Sequence, residues 1–148
     1  MRYQLQLADA EDAKDFLRQA LILGREHWVE DGGQESAYAP MADLLWASWH
    51  EQKIVALGAW DEANVLRGYQ VWTGGRSLFA GDETTLTLNG LFMDRAHRGE
   101  GVEFLRWGLD LVRGKVSKVY WQLSVGNRAS ALAPRLGFEP DTMLWRLK

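Results

Sequence analysis

Apolar residues recur at fixed intervals along the chain, and the interval predicts the local structure. Every second residue is apolar from 3 to 7, which is the spacing of a half-buried strand. The acidic segment 8–12 then predicts a helix start, and apolar residues three and four apart continue that helix to the Glu-Asp-Gly-Gly break at 30–33. Proline at position 40 predicts a short second helix over 40–46, and residues 46–50 are expected to begin a strand.

The rest of the chain contains further runs of β-branched, aromatic and small residues, bounded by polar or glycine-containing stretches. Their spacing predicts strands over 54–60, 67–72 and 84–93, a helix over 101–113, a strand over 118–125, a short helix over 127–136 that Pro134 interrupts, and a closing strand over 143–147. The predicted order is therefore β-α-α-β-β-β-α-β-α-β.

The composition narrows the class of protein. A chain of 148 residues that is 47% apolar and 25% charged is expected to fold as one domain over 1–148. Its net charge of -3 provides no broad basic surface, so we expect no nucleic-acid partner. The chain has no cysteine and its three histidines share no metal-ligand spacing, so no metal site is expected.

The N-terminal residues 1–7 indicate the cellular compartment in which the protein is expected. Residues 1–7 alternate and soon give way to acidic residues, so they lack the apolar core of a signal peptide. The sequence also has no run of about 18 apolar residues. We therefore expect a cytoplasmic protein that makes no contact with a membrane.

A glycine-containing turn lies between the predicted strand over 84–93 and the predicted helix over 101–113. Its residues are Arg98-Gly99-Glu100-Gly101-Val102. Glycine lets a backbone approach an anion closely, and the N–H groups at a helix N-terminus carry about half a positive charge. The turn is therefore suited to a phosphate group, although a glycine pair here is also typical of a turn that only caps or packs a helix.

The segment 91–102 resembles the central motif of the GNAT superfamily of acetyl-coenzyme A-dependent N-acetyltransferases, in which a strand leads to Arg/Gln-x-x-Gly-x-Gly/Ala. The segment Asn127 to Phe138 is similar to the family's Asn-x-x-Ala-x-x-Leu-Tyr-x-Lys-x-Gly-Phe ending. The resemblance implies an α/β (α+β) domain with a central mixed, mostly antiparallel sheet and helices on both faces. It also implies that acetyl-CoA binds as a co-substrate to Phe92, Met93, Arg98, Gly99, Glu100, Gly101, Val102 and Asn127.

Two other phosphate-binding motifs do not fit the glycine turn. A dinucleotide-binding fingerprint follows the first strand of a βαβ unit and needs a third glycine and a downstream acidic residue. A Walker A loop needs Gly-Lys-Ser or Gly-Lys-Thr, which the chain lacks. We therefore do not expect nucleotide hydrolysis.

Two residues depart from the family pattern. Glu103 stands where the family has glycine or alanine facing the pyrophosphate, and a carboxylate about 6 Å from a phosphate charge would cost roughly 0.7 to 2.8 kcal/mol. The alternative is that Glu103 faces water and stabilises the helix N-terminus. Ala133 stands in the place of the family's tyrosine, the general acid, and no tyrosine follows Trp121.

The catalytic group is therefore unknown from the sequence. The candidates are Ser124, His97 and Glu83 with its neighbour Asp82. Histidine is suited to acid–base chemistry near neutral pH, although His97 is also typical of a solvated loop residue. Arg98 is expected to hold phosphate, and an ion pair with Glu100 or Glu103 is the competing arrangement.

Acidic and aromatic residues cluster in the segment 26–38, where the resemblance implies that the acceptor enters. The candidate substrate-binding residues are Trp28, Glu30, Asp31 and Tyr38. Carboxylates and aromatic faces attract an ammonium group, so a small-molecule or peptide amine fits this segment. The alternative is a solvated acidic loop with Trp28 in the core.

With the resemblance, these residues predict an N-acetyltransferase that moves an acetyl group from acetyl-CoA to a primary amine by direct attack. The alternative is a GNAT-like binding, regulatory or structural module that has lost catalysis, for which Glu103 and Ala133 are the evidence. Transfer of a longer acyl or an aminoacyl group stays open. The eight tryptophans are expected to lie mainly in the core, with a homodimer surface as a further use for some of them.

Overall fold

The structure is a computed structural model that describes residues 1–76, 81–123, 127–141 and 147. Within these residues the α-helices and strands are β1 (Arg2–Gln6), α1 (Ala13–Glu30), α2 (Ala42–His50), β2 (Ile54–Trp60), β3 (Leu66–Arg76), β4 (Thr84–Met93), α3 (Gly101–Val112) and β5 (Lys118–Trp121). Short 3₁₀ helices cover Glu35–Ala37, Arg95–Glu100, Arg128–Ala131 and Ala133–Leu136.

The strands form one sheet in the order β1-β2-β3-β4-β5. The first four strands pair antiparallel with their neighbours in sequence. The last strand, β5, is parallel to β4, because α3 carries the chain back along the sheet between them. The predicted mixed, mostly antiparallel sheet is therefore confirmed.

Helices cover both faces of the sheet, as the family resemblance implied. On one face α3 packs through Phe104 onto a buried cluster that includes Trp72 and Leu88. On the other face α1 and α2 pack through Phe16 and Trp49, whose rings lie 5.6 Å apart. Removing these large side chains from water supplies the main driving force for folding on each face.

A β-bulge at Asn89 divides β4 into two parts. Gly90 pairs with Val71 and Leu88 pairs with Trp72, so Asn89 has no partner on β3. One extra residue reverses the alternation of the strand. Leu88 before the bulge and Met93 after it both face α3.

The edge of β4 is paired with β5 along only part of its length. β5 pairs with Thr85 to Leu88, and the N–H of Gln122 still reaches the carbonyl of Leu88 at 3.1 Å. Beyond that point β4 continues for the five residues 89–93, which in the described part of the chain have no strand partner on this side. An open strand edge presents unpaired N–H and C=O groups to any extended ligand that carries amides.

Helix α3 is fastened to β3 by a buried glutamine. Gln70 is fully buried, and its Nε2 donates to the carbonyl of Phe104 at 2.8 Å. Its Oε1 accepts from Trp72 Nε1 at 3.1 Å, so both ends of the side-chain amide are hydrogen-bonded. Gly108 permits this close approach, because a Cβ at that position would overlap the Gln70 amide.

Two predictions in the first half of the chain are wrong. Residues 46–50 form the end of α2 rather than the start of a strand. Trp46, Trp49 and His50 are three and four residues apart, which is a helical spacing, and the His50 ring contacts the carbonyl of Trp46 at 2.8 Å. Helix α1 starts at Ala13 rather than within 8–12, because successive turns precede it.

The second half differs at the ends of its elements. β3 runs to Arg76 rather than stopping at 72, because residues 73–76 pair with 84–87 of β4. Residues 127–136 form two 3₁₀ helices instead of one α-helix, since Pro134 lacks an N–H. The predicted strand over 118–125 ends at Trp121. Its positions 124–125, and 143–146 of the predicted closing strand, lie outside the described residues.

Among the residues that the structure describes, no helix combines the length and the apolar composition that crossing a bilayer requires.

The contact between Gln70 and α3 predicts a cost for any side chain at position 108. Gly108→Ala is expected to lower the free energy of unfolding by about 1 to 3 kcal/mol, because the methyl group displaces a buried, doubly hydrogen-bonded amide. The measurement is urea unfolding followed by tryptophan fluorescence.

Gly75→Ala is the matched control for this experiment. A Cβ at Gly75 would lie 3.5 Å from Thr85 Oγ1, an ordinary contact, so this variant should unfold within about 0.5 kcal/mol of the parent protein. Equal stability of the two variants would show that α3 does not depend on the close approach at Gly108.

Candidate functional site

The turn between β4 and α3 is held by the carboxylate of Asp94. It accepts from the backbone N–H of His97 at 3.0 Å and contacts His97 Nδ1 at 2.6 Å. Its second oxygen pairs with Arg67 Nη1 at 3.3 Å, and the N–H of Asp94 donates to the carbonyl of Arg67 at 2.7 Å. Because the Asp94 side chain is only 12% exposed, these contacts tie the turn firmly to the beginning of β3.

The two glycines of the turn are not required by the fold. Neither Gly99 nor Gly101 is among the residues with a positive φ. Among the described residues, a Cβ on Gly99 would meet no atom within 4 Å, and one on Gly101 would meet only Met93 Cβ at 3.8 Å. A side chain would therefore fit the protein itself. The glycines leave free space at the N-terminus of α3, which the close approach of an anion needs, while the Gly101 N–H itself donates to the carbonyl of Arg98.

Arg98 projects from this turn and pairs with Glu30 at the end of α1. The sequence analysis expected its competing partner to be Glu100 or Glu103, and the partner is instead a residue 68 positions earlier. Both side chains are partly exposed, so this pair is easily exchanged for another anion. Glu30, expected to bind substrate, is thereby placed at the glycine turn.

Glu103 lies on the side of α3 that faces β1. Partial burial, followed by the carboxylates of Glu103 and Glu100, raises the pKa of the Tyr3 hydroxyl. Tyr3 packs on α3 through Phe104 and Trp107, with ring centroids 5.0 and 5.8 Å away. The Glu103 side chain is exposed in the first turn of α3. This placement favours the expectation that Glu103 faces water.

The remaining residues predicted to bind the coenzyme lie in two separate parts of the fold. Phe92 and Met93 are buried at the end of the open edge of β4, directly before the turn, and Val102 lies in the first turn of α3. Asn127 lies in another segment, where its Oδ1 accepts from the N–H of Ala129 at 2.8 Å and caps a 3₁₀ helix. The strand end and the turn are therefore brought together.

The catalytic candidates are not brought together. Glu83 pairs with Lys118 Nζ at 3.2 Å before the start of β4, and Asp82 precedes it. Since β4 has ten residues, this end of the strand is about 30 Å from the glycine turn. His97 is a partner of Asp94 rather than a solvated loop residue, and Ser124 lies outside the described residues.

A cavity of about 340 Å³ lies on the other face of the sheet, between α1, α2 and strands β2 and β3. Three of the four predicted substrate-binding residues line it: Trp28, Asp31 and Tyr38. Trp28 lies at the surface rather than in the core, and its Nε1 donates to the carbonyl of Gln34 at 2.8 Å. Tyr38 donates to the carbonyl of Leu21 at 2.7 Å.

A hydrogen-bonded chain of three side chains forms one end of this cavity. His27 Nδ1 lies 2.8 Å from the Tyr69 hydroxyl, and His27 Nε2 lies 3.2 Å from Asp31 Oδ2. The His27 ring stacks on Phe92 with centroids 5.0 Å apart and an interplanar angle of 16°. The chain therefore contacts the part of β4 next to the glycine turn.

His27 and Tyr69 are not among the site residues predicted from the sequence. The four-residue spacing of His27 and Asp31 within a predicted helix was a usable signal, because residues four apart share a helix face. Tyr69 could not be found in this way, since it joins the group only when β3 passes beneath α1.

No protein-family model matches the sequence, and no curated protein matches it closely. Solved structures, however, are similar over the whole chain. An acetyltransferase of Trypanosoma brucei is 16% identical with a TM-score of 0.71, over 99% of this chain and 98% of that chain. A ribosomal-protein-alanine N-acetyltransferase of Brucella melitensis biovar Abortus 2308 is 15% identical with a TM-score of 0.68, over 100% and 99%.

An aminoglycoside acetyltransferase from an uncultured soil metagenomic sample is also similar, with 13% identity, a TM-score of 0.74 and coverage of 99% of this chain and 97% of that chain. TM-scores of 0.68 to 0.74 over nearly the whole chain establish the fold. The predicted GNAT-type fold is therefore confirmed.

The contacts of Asp94 predict that it stabilises the turn. Asp94→Ala is expected to lower the free energy of unfolding by about 1 to 2 kcal/mol, because it removes the side-chain acceptor of the His97 N–H and one of the two carboxylates paired with Arg67. Urea unfolding measures the loss. Asp110→Ala, at an exposed position on α3, is the control and should change stability by no more than about 0.5 kcal/mol. A loss no larger than in this control would contradict the role of Asp94.

Proposed function

We propose that the protein is an N-acetyltransferase that moves an acetyl group from acetyl-CoA to a primary amine by direct attack on the thioester. The observation that carries the proposal is the free space around Gly99 and Gly101, where the fold itself has no need of glycine. An anionic ligand is the natural reason to keep side chains out of a helix N-terminus. The GNAT-type fold supports the coenzyme as that ligand.

The two halves of the coenzyme fit two adjoining parts of the protein. Its pyrophosphate is suited to the turn Arg98–Val102, where Arg98 can exchange the carboxylate of Glu30 for a phosphate oxygen. Its extended arm carries amide groups, which are suited to the open edge of β4 that ends at Phe92 and Met93. The turn and the edge are consecutive in the chain, so one ligand can reach both.

The amine acceptor is proposed to bind in the cavity lined by Trp28, Asp31 and Tyr38. The cavity lies on the α1 and α2 face of the sheet, and Phe92 joins it to the end of β4 through the stacked ring of His27. Binding the amine and the thioester on either side of this strand would place the reacting atoms together, which is a large part of the acceleration of a two-substrate reaction.

The reaction forms one bond and breaks one. The amine lone pair attacks the thioester carbonyl carbon, the new C–N bond forms, and the C–S bond breaks to release coenzyme thiolate. One proton must leave the nitrogen and one must reach the sulfur. No covalent acyl-enzyme is required.

A second candidate function is a binding or regulatory module that has kept the fold and lost catalysis. Ala133, which cannot donate a proton at the position of the family's tyrosine, favours it. Such a module would bind acetyl-CoA yet release no coenzyme thiol with any amine. A homodimer stays a prediction for either function.

Calorimetric titration with acetyl-CoA tests the proposed coenzyme site. The parent protein is expected to bind, and Gly101→Glu is expected to abolish the signal up to millimolar ligand. The reason is that a Cβ at position 101 faces Met93 Cβ at 3.8 Å, so the new side chain and its charge would occupy the space between turn and strand.

Gly81→Glu is the matched control, because it adds the same side chain at a glycine that also has open space but lies at the opposite end of β4. It should bind acetyl-CoA with an unchanged constant. Full affinity in Gly101→Glu would place the coenzyme elsewhere, and absence of binding by the parent protein would refute the proposal.

A further inference from the structure

The cavity beside α1 changes from apolar to polar along its length. Its lining residues on α1 recur on one face of the helix from Phe16 to Asp31, a distance of about 22 Å. The first half of this face is entirely apolar: Phe16, Leu17, Ala20 and Leu21. The second half ends in His27 and Asp31. A ligand that fills the cavity therefore has one polar end and an apolar body.

The apolar half is closed by further apolar side chains of the other elements. α2 contributes Leu45 and Trp49, and the sheet contributes Ile54, Ala56 and Val71. The volume of about 340 Å³ is at the small end of the range for ligand sites, so the occupant is a small molecule. A second charged group on it would lie among these side chains without a partner, which is strongly unfavourable.

The hydrogen bonds at the polar end define the proton positions. Asp31 can only accept, so the contact at Nε2 places the ring proton of neutral His27 on that nitrogen. Nδ1 is then an acceptor, and the Tyr69 hydroxyl donates to it. Burial, with smaller contributions from Tyr38 and Asp31, raises the pKa of Tyr69 above its usual range, which keeps the hydroxyl protonated.

We infer that the cavity binds a primary amine carried on a single uncharged apolar group, and that Tyr69, His27 and Asp31 move the proton of this amine during acetyl transfer. The inference rests on the proposed function and names its acceptor class. Two facts carry it: the apolar half of the cavity, and the hydrogen-bonded chain that joins its polar end to Phe92 on β4.

The nitrogen loses two protons in passing from ammonium to amide, and their transfer needs no reactant beyond water. The ammonium form of the substrate donates a proton to the Tyr69 oxygen as the Tyr69 proton passes to His27 Nδ1, and the resulting imidazolium pairs with Asp31. The neutral amine then attacks the thioester carbon, and the second nitrogen proton passes to water as the amide forms. As the C–S bond breaks, the same proton returns from His27 through Tyr69 to the leaving sulfur. The three side chains end in their starting states.

Two amines of equal length test the acceptor class. Hexylamine and 1,6-diaminohexane differ only in a second ammonium group, and transfer is read by released coenzyme thiol. The value of kcat/KM is expected to be about 100-fold or more higher for hexylamine, because the second charge cannot enter the apolar half. Ala20→Phe, which fills that half, should raise KM for hexylamine at least about tenfold and leave the acetyl-CoA affinity unchanged.

Three substitutions test the proton relay formed by Tyr69, His27 and Asp31. Tyr69→Phe and His27→Gln are each expected to lower kcat with hexylamine by about 100- to 10,000-fold, with acetyl-CoA binding unchanged. Asp31→Asn should lower it less, since Asp31 acts through His27 as a positioning residue. Asp43→Asn, an exposed aspartate on α2 outside the cavity, is the control and should keep full activity.

An amine that is already neutral when it binds separates removal of the ammonium proton from a structural role. The test amine is 2,2-difluorohexylamine, used at a pH where its nitrogen is largely neutral. The loss of kcat caused by His27→Gln should be at least about tenfold smaller with this amine than with hexylamine. An equal loss with both amines would overturn the relay.

Further outcomes separate failure of this inference from failure of the proposed function. Equal use of hexylamine and 1,6-diaminohexane would overturn the acceptor class while the transferase remained. Full kcat in both Tyr69→Phe and His27→Gln would overturn the relay alone. If no amine releases coenzyme thiol although acetyl-CoA binds, the proposed function itself fails, and this inference with it.

Discussion

The buried side chain of Gln70 holds helix α3 against β3, and the rest of the site depends on that contact. Its amide joins the carbonyl of Phe104 to the indole of Trp72, and Gly108 lets the helix come close enough for both hydrogen bonds to form. A buried amide without either partner would be costly, so the helix has one favourable position on the sheet. The N-terminus of α3 is therefore fixed above the end of β4.

The bulge at Asn89 divides β4 into two parts that differ in their strand pairing and in which side chains face α3. Before it, β4 is paired on both sides and belongs to the core. Beyond it, one edge of the strand has no strand partner among the described residues, Met93 faces α3, and Phe92 faces the opposite side of the sheet. His27 stacks on Phe92, so the cavity beside α1 and the glycine turn meet at adjacent residues of one strand. A reaction between two substrates is favoured by such an arrangement.

Residues with a local signal could be predicted, and residues joined only by the tertiary fold could not. The strand over 84–93, the helix from Gly101 and the glycine turn between them follow from periodicity and from the family resemblance. The tryptophans at 46 and 49 favoured a strand by propensity, although packing on β2 required a helix. Tyr69 and His27 are 42 positions apart, and the pairing of Arg98 with Glu30 spans 68, so neither contact leaves a local pattern.

The proposed coenzyme site consists of the N-terminus of α3 and the β4 edge over 89–93, which has no strand partner in the part of the chain that the structure describes. Amide ¹H–¹⁵N spectra of the protein, recorded as acetyl-CoA is added, test it most directly. The largest shifts are expected on the amides of 92–93 and 99–102, with smaller changes at His27. Shifts confined to residues outside these segments, or the absence of shifts at saturating acetyl-CoA, would contradict it.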